Sequence, residues 1–240
     1  MSTRGEGLPA AARTASTVGK PAAHRGSSAV VETLLVGVVA VIGVLAFALA
    51  NSAWADWIHA RLASDSELLN GLAFSAFPLV LGAAVVAWAP RQFGLTMGSA
   101  LARWRLVLIL SLAMAAFAAA ALALVGSNPF RGANFVVEVI GVPVSEELVF
   151  RGVLFTLVLA ALRRLHAPGR ALWLAVVISG IAFGAGHLNN LSNYDAGFVV
   201  PQAIYASILG LTAGWLRAST ASLLPPVFMH AFVNLVATLV

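Results

Sequence analysis

The feature that most constrains this chain is a series of long stretches with almost no charge in them, at about residues 29–50, 70–89, 104–125, 135–161, 171–188, 199–217 and 222–240. Each runs to about 20 residues, which as a helix rising 1.5 Å per residue covers the roughly 30 Å of a bilayer's hydrocarbon core. A membrane-spanning barrel would instead need apolar and polar residues in strict alternation, and these Ala- and Leu-rich runs show none. The chain therefore reads as all-α, a polytopic membrane helical bundle of seven to eight transmembrane helices. The eighth would come from the fourth stretch, where Gly141 and Pro143 invite a break into a short interfacial piece and a helix starting near Pro143.

Composition supports the same class. Of 240 residues, 60% are hydrophobic and 10% charged, against about 25% charged in an ordinary soluble domain. The absence of cysteine rules out disulfides, thiolate metal sites and cysteine nucleophiles. The formal charge of +5 does not point to nucleic acid, because the basic residues are scattered between apolar spans rather than gathered in one stripe.

Three regions follow. Residues 1–27, rich in Ala, Gly, Ser and Pro and carrying Arg4, Arg13, Lys20 and Arg25, cannot bury a core and read as a disordered basic tail. Residues 28–130 supply accessory spans. Residues 131–240 hold the polar motifs. The first apolar run is too long for the core of a secretory signal and is taken as a span. Lys and Arg near span ends concentrate on the cytoplasmic side. With the tail inside, that side holds Arg4, Arg13, Lys20, Arg25, Arg91, Arg103, Arg105, Arg163, Arg164, Arg170 and Arg217, and the other only Arg61 and Arg131. Eleven against two puts the N-terminus in the cytoplasm and, for seven spans, the C-terminus outside.

Ionisable groups inside a span cost at least about 2.5–3.5 kcal/mol on insertion scales, so each needs a partner or a task. Glu146, Glu147, Arg151, His187 and His230 stand out, with Asn234 as a buried amide. Glu147 and Arg151 are four apart, on one helical face and in the favourable order for an ion pair that locks the helix. Glu146 points about 100° away and lacks that partner; its carboxylate is suited to taking a proton from water. In FGAGH, residues 183–187, Phe183 and His187 share a face while Gly184 and Gly186 admit a neighbouring helix. In HAFVN, residues 230–234, His230 and Asn234 share a face, and Pro225 and Pro226 just before them would free backbone groups to line a polar cavity. Each histidine alone could be an interhelical hydrogen bond. Three helices delivering a carboxylate, two imidazoles and an amide together suit hydrolysis. Glu32 and Glu138 are placed near span ends. Asp56, Asp65, Glu67 and Asp195 are placed in loops, and His24, His59 and His166 in the tail or loops. Trp54, Trp57, Trp88, Trp104 and Trp215 fit an interfacial aromatic belt.

EELVFR at 146–151, FGAGH and HAFVN fit the patterns EExxxR, FxxxH and HxxxN in that order, and so the chain resembles the CPBP family of intramembrane proteases. That family includes the CAAX prenyl endopeptidases and bacterial Abi-like proteins. The resemblance covers roughly residues 135–240. It implies that Glu146 and His187 activate the attacking water, that His230 and Asn234 orient it or stabilise the oxyanion, and that Glu147, Arg151 and Phe183 support them. Glu146, His187 and His230 could alternatively hold a zinc ion with one position open to water, although no HExxH pair argues for it. The expected activity is an intramembrane endopeptidase acting on a membrane-associated protein or peptide, without nucleic acid and in contact with the lipid bilayer. The Ala-rich, Arg-over-Lys composition suggests a GC-rich bacterial genome, and with it a bacterial plasma membrane as the location. The topology sets His187 toward the outer end of its helix, whereas relatives that trim prenylated proteins are expected to work on cytoplasmic tails. A non-catalytic immunity or scaffold protein of the same fold, and a proton-coupled transporter, are the competing readings; repeated halves with matching broken helices, a transporter signature, are not found.

Overall fold

A computed structural model describes residues 23–62, 66–126, 128–129 and 131–240, and among these no residue is in a strand. Helix α1 spans Ala23–Leu62, α2 Glu67–Trp88, the short α3 Pro90–Phe93, α4 Trp104–Val125, α5 Val142–Glu147, α6 Phe155–Leu162, α7 Pro168–Gly186, α8 Ala196–Thr220 and α9 Leu224–Leu239. The helices from α1, α2, α4, α7 and α8 are long and apolar enough to cross a bilayer. With Leu34, Val39, Ile42, Ile109 and Leu124 exposed on the outside of the bundle, this is the pattern of an integral membrane protein, whose lipid-facing surface must be apolar.

Local chemistry sets the helix ends. Ser66 caps α2 by accepting from the Leu69 amide, and Asp195 caps α8 by accepting from Phe198. Pro90, Pro168 and the pair Pro225 and Pro226 sit in first turns, where a missing N–H costs nothing. Gly94 and Gly126 close α3 and α4 in the left-handed conformation.

The tail expected over 1–27 lies mostly outside the described residues, and α1 begins at Ala23. That helix also runs on well past Ala50. Its 40 residues amount to about 60 Å, twice the hydrocarbon core. Asp56 and His59, expected in a loop, are therefore on a helix. Asp65 lies outside the described residues, and Glu67 opens α2.

The fourth apolar stretch does not break. Helical backbone is continuous from Phe135 to Leu162, with α5 and α6 separated and preceded by wider π-helical turns at Val136–Gly141 and Leu148–Leu154. The Val142 amide bonds five residues back to the Val137 carbonyl. A widened turn is how a helix absorbs a proline that can neither donate nor tolerate the carbonyl four residues earlier, and it explains why Pro143 leaves this rod whole. The two widened turns flank Glu146 and Glu147.

The bundle has two distinct ends. At one, His166 Nε2 and Thr33 Oγ1 share a hydrogen bond at 2.6 Å, Ser99 N donates to the Thr220 carbonyl, and Leu223 N to that of Gly94. This end gathers the start of α1, α3, and the turns holding Arg91, Arg103, Arg163, Arg164 and Arg170. Arg217, expected as a loop charge, is instead buried here: its Nη2 donates to the Gln92 carbonyl at 2.9 Å and its guanidinium lies 5.7 Å from the Phe155 ring. At the other end Asn128 donates to Ala237, Gly132 to Thr238, and Asn189 to Ser52.

Neighbour follows neighbour around the bundle as α1, α7, α8, α4, α9, the rod and α2, which returns to α1. The tightest joint is α7 on α8. A Cβ on Gly184 would sit 2.5 Å from the Ala203 carbonyl oxygen, and one on Gly180 would sit 2.8 Å from the Leu211 amide. Only glycine permits that approach. Inside the ring, toward the end bearing Asn128 and Ser52, the helices surround a cavity of about 820 Å³.

Candidate active site

The cavity wall is where the polar residues converge. Along the rod, Glu138, Val142, Ser145, Glu146 and Val149 face it at helical spacing, and α7, α9, α8 and α1 bring His187, His230, Asn234, Gln202 and Asn51. The two adjacent glutamates point to different places, as their 100° separation requires. Glu147 is fully buried; its Oε1 accepts from Arg151 Nη1 at 2.9 Å and from His230 Nδ1 at 3.0 Å. Glu146 keeps 24% of its side chain exposed and turns its Oε2 toward His230 Nε2 at 3.8 Å.

The tautomers follow from the partners. His187 Nδ1 lies 3.0 Å from the Phe183 carbonyl, which can only accept, so Nδ1 carries the proton and the Nε2 lone pair is left for the cavity. His230 Nδ1 faces the Glu147 carboxylate in the same sense. Its Nε2 therefore meets Glu146 Oε2 across a gap too long for a direct hydrogen bond. Asn234 Nδ2 donates to the Glu138 carbonyl at 2.8 Å, and its second N–H remains available.

Phe183 is the packing hub. It is completely buried, with Phe150, His187 and His230 set edge-on to it at centroid distances of 4.8, 4.8 and 5.7 Å. The Arg151 guanidinium lies 4.3 Å from its ring centre, a cation–π contact that complements the Glu147 pair in a site shut off from water.

Every residue singled out from the three motifs is thus found on or directly behind one cavity. Pro225 and Pro226 are not: they begin α9 about a turn before His230, and the cavity is lined by the later residues His230, Val233 and Asn234. The pairing of Glu147 with His230 was also not foreseen, since spacing along one helix reveals its arginine but not a partner 83 positions away. Glu138, expected near a span end, lines the cavity as well; its position eight residues before Glu146 on one face was the available signal.

Among the described residues, no group of three His, Asp or Glu side chains is arranged to hold a metal ion. Both His230 nitrogens already face carboxylates.

Residues 128–236 match the model of the family described as type II CAAX prenyl endopeptidase Rce1-like. The late helices are similar to a CAAX-protease domain. All three motifs fall inside the matched stretch, and the first three long helices lie before it. No curated protein and no solved structure matches the chain. That family is one of membrane-embedded proteases, and the likeness implies a protein substrate met at the membrane.

Proposed function

We propose that the protein is an intramembrane endopeptidase that hydrolyses a peptide bond of a membrane-associated protein with water activated by Glu146 and His187. The observation that carries this reading is the facing pair of Glu146 Oε2 and His230 Nε2, 3.8 Å apart, on the wall of a cavity that also holds His187 and Asn234. Glu146 takes a proton from water while the oxygen attacks the scissile carbonyl carbon. The oxyanion then accepts from the remaining Asn234 N–H, while His230, its Nδ1–H held by Glu147, orients the attacking water. Collapse breaks the C–N bond, and the proton returns to the leaving amine. His187, holding Nδ1–H on the Phe183 carbonyl, offers Nε2 to the same water. All of these steps use the chain's own groups; removing divalent metal with a chelator is expected to leave the rate unchanged. Loss of activity on chelation, restored by zinc, would replace this scheme with the metal-bound alternative.

The test is to compare protein termini in membranes of cells carrying the wild type or Glu146→Gln. A defined set of new termini should vanish in the variant, and likewise in His187→Ala and His230→Ala. Processing that continues unchanged in all three would favour the non-catalytic scaffold.

The site's access is the second part of the proposal. The cavity lies toward the end that carries Arg61 and Arg131, opposite the turns rich in arginine. With the basic end in the cytoplasm, substrate enters from the outer side. A reporter fused after Val240 should work only outside the cytoplasm; cytoplasmic activity would reverse the orientation and bring the site to the inner face.

A further inference from the structure

The chain contains eight asparagines and two glutamines, and six of the asparagines and one glutamine line this single cavity. Two of them are already assigned: Asn134 caps the rod by accepting from Val136 and Val137, and Asn234 belongs to the reaction site. The others form a rim above it. Asn189 donates to Ser52 Oγ at 2.8 Å and Asn190 to Gln202 Oε1 at 2.9 Å, tying α1 and α8 to the residues that directly follow His187. Asn70 meets His59 at 2.9 Å. Asn51 differs from all of these. It is 5% exposed, it lines the cavity, and among the described residues nothing donates to its Oδ1. A buried carbonyl oxygen left without a donor costs about 1–3 kcal/mol, so its retention calls for a ligand.

We infer that the carboxamide rim is a subsite for the substrate's main chain, in which Asn51 Oδ1 accepts a peptide N–H of an extended segment on its way to the scissile position. This rests on the proteolytic reading above and names what that site takes hold of. A carboxamide has the same donors and acceptors as the peptide group, and so reads backbone without demanding any side chain. A phosphate headgroup would require cations, and among the described residues this end of the bundle offers Arg61 and Arg131 alone as Lys or Arg. The distance is informative too. Val44 is level with the residue preceding His187, since a Cβ on Gly186 would lie 3.1 Å from its Cγ1. Asn51 is two turns further along the same face of α1, about 10 Å away. An extended chain covers that in about three residues, so the bonded peptide group stands about three residues from the cut.

The experiment uses full-length Glu146→Gln protein in detergent and end-capped, fluorescent ten-residue peptides of differing composition, one Leu/Ala-rich and one Ser/Thr-rich, read by anisotropy. Each peptide is also N-methylated at one position at a time. Both parents should bind within about threefold of each other. Methylation at one position should weaken binding about tenfold, the worth of one hydrogen bond. Asn51→Leu in the same background should abolish that sensitivity. Cleavage of the parents by wild-type protein then fixes that position about three residues from the cut. Absence of binding by both peptides, indifference to methylation at every position, or a tenfold effect that survives in Asn51→Leu would overturn the subsite. Because the methylation scan needs no change at Asn51, the proposal stays decidable if Asn51→Leu fails to fold. Position-specific binding with no cleavage by the wild type would retain the subsite and reject the proteolytic reading; cleavage with no sensitive position would do the reverse.

Discussion

Helices α1 and α7 each carry a long apolar span, and they do opposite work. The more apolar of the two is the less buried: 11% of the spanning window in α1 is packed inside protein, against 44% in the stretch that opens at Pro168. In water that order would be reversed. In a bilayer, apolarity is what the lipid-facing surface needs, whereas a helix held among other helices can give positions to Gly180, Gly184, Ser179 and His187 because its partners, rather than lipid, meet them. The outer wall and the reaction wall are therefore distinguished by small and polar residues, not by hydrophobicity.

The sharpest test of that division is on rate. Glu146→Gln keeps the shape of the rod but removes the proposed base, and turnover should fall by about 10²–10⁴-fold while thermal unfolding in detergent barely moves. Val39→Ala, on the exposed side of α1, should leave turnover intact and stability within about 0.5 kcal/mol. Equal effects at the two positions would erase the distinction between wall and site.

A second test separates the two adjacent glutamates. Glu147 and Arg151 are both fully buried and paired at 2.9 Å, so Arg151→Met strands a buried carboxylate and should cost about 3–5 kcal/mol in stability, read as a lowered melting temperature. Adding Glu147→Gln should recover a good part of that loss, since the charge left without a partner is then gone. The recovered protein should still turn over slowly, because His230 Nδ1 loses the carboxylate that orients it. Full activity in the double variant would limit Glu147 to a structural role.

Much of this was legible in the chain. Seven apolar runs gave the bundle, and i, i+4 spacing put Glu147 with Arg151 and Phe183 with His187, because those relations are local to one helix. What was not legible depends on contacts between helices. His230 reaches Glu147 only because α9 packs on the rod, and Glu138 reaches the cavity only because the rod stays whole through Pro143. The extent of α1 was missed for another reason: polar residues such as Asn51, Asp56 and His59 interrupt its apolar run, and in sequence that interruption reads as the end of a span rather than as a helix entering a cavity mouth.

The gentlest substitution offers the most direct contrast between the two helices. Gly43 lies on α1 with nothing within 4 Å of where a Cβ would go, whereas at Gly184 the same atom would meet the Ala203 carbonyl oxygen at 2.5 Å and the Ser207 Cβ at 2.9 Å. Backbone cannot yield there without separating α7 from α8. Gly43→Ala should therefore be neutral or stabilising by a few tenths of a kcal/mol, since alanine is the better helix former. Gly184→Ala should lose about 1–3 kcal/mol through overpacking, with a fall in turnover because the displaced helix carries Phe183 and His187. Equilibrium unfolding of both variants in one detergent reads the difference. If the two changes prove alike in sign and size, the close approach of α7 to α8 is not what holds His187 against the cavity, and the contrast between a lipid wall and a packed reaction wall loses its structural basis.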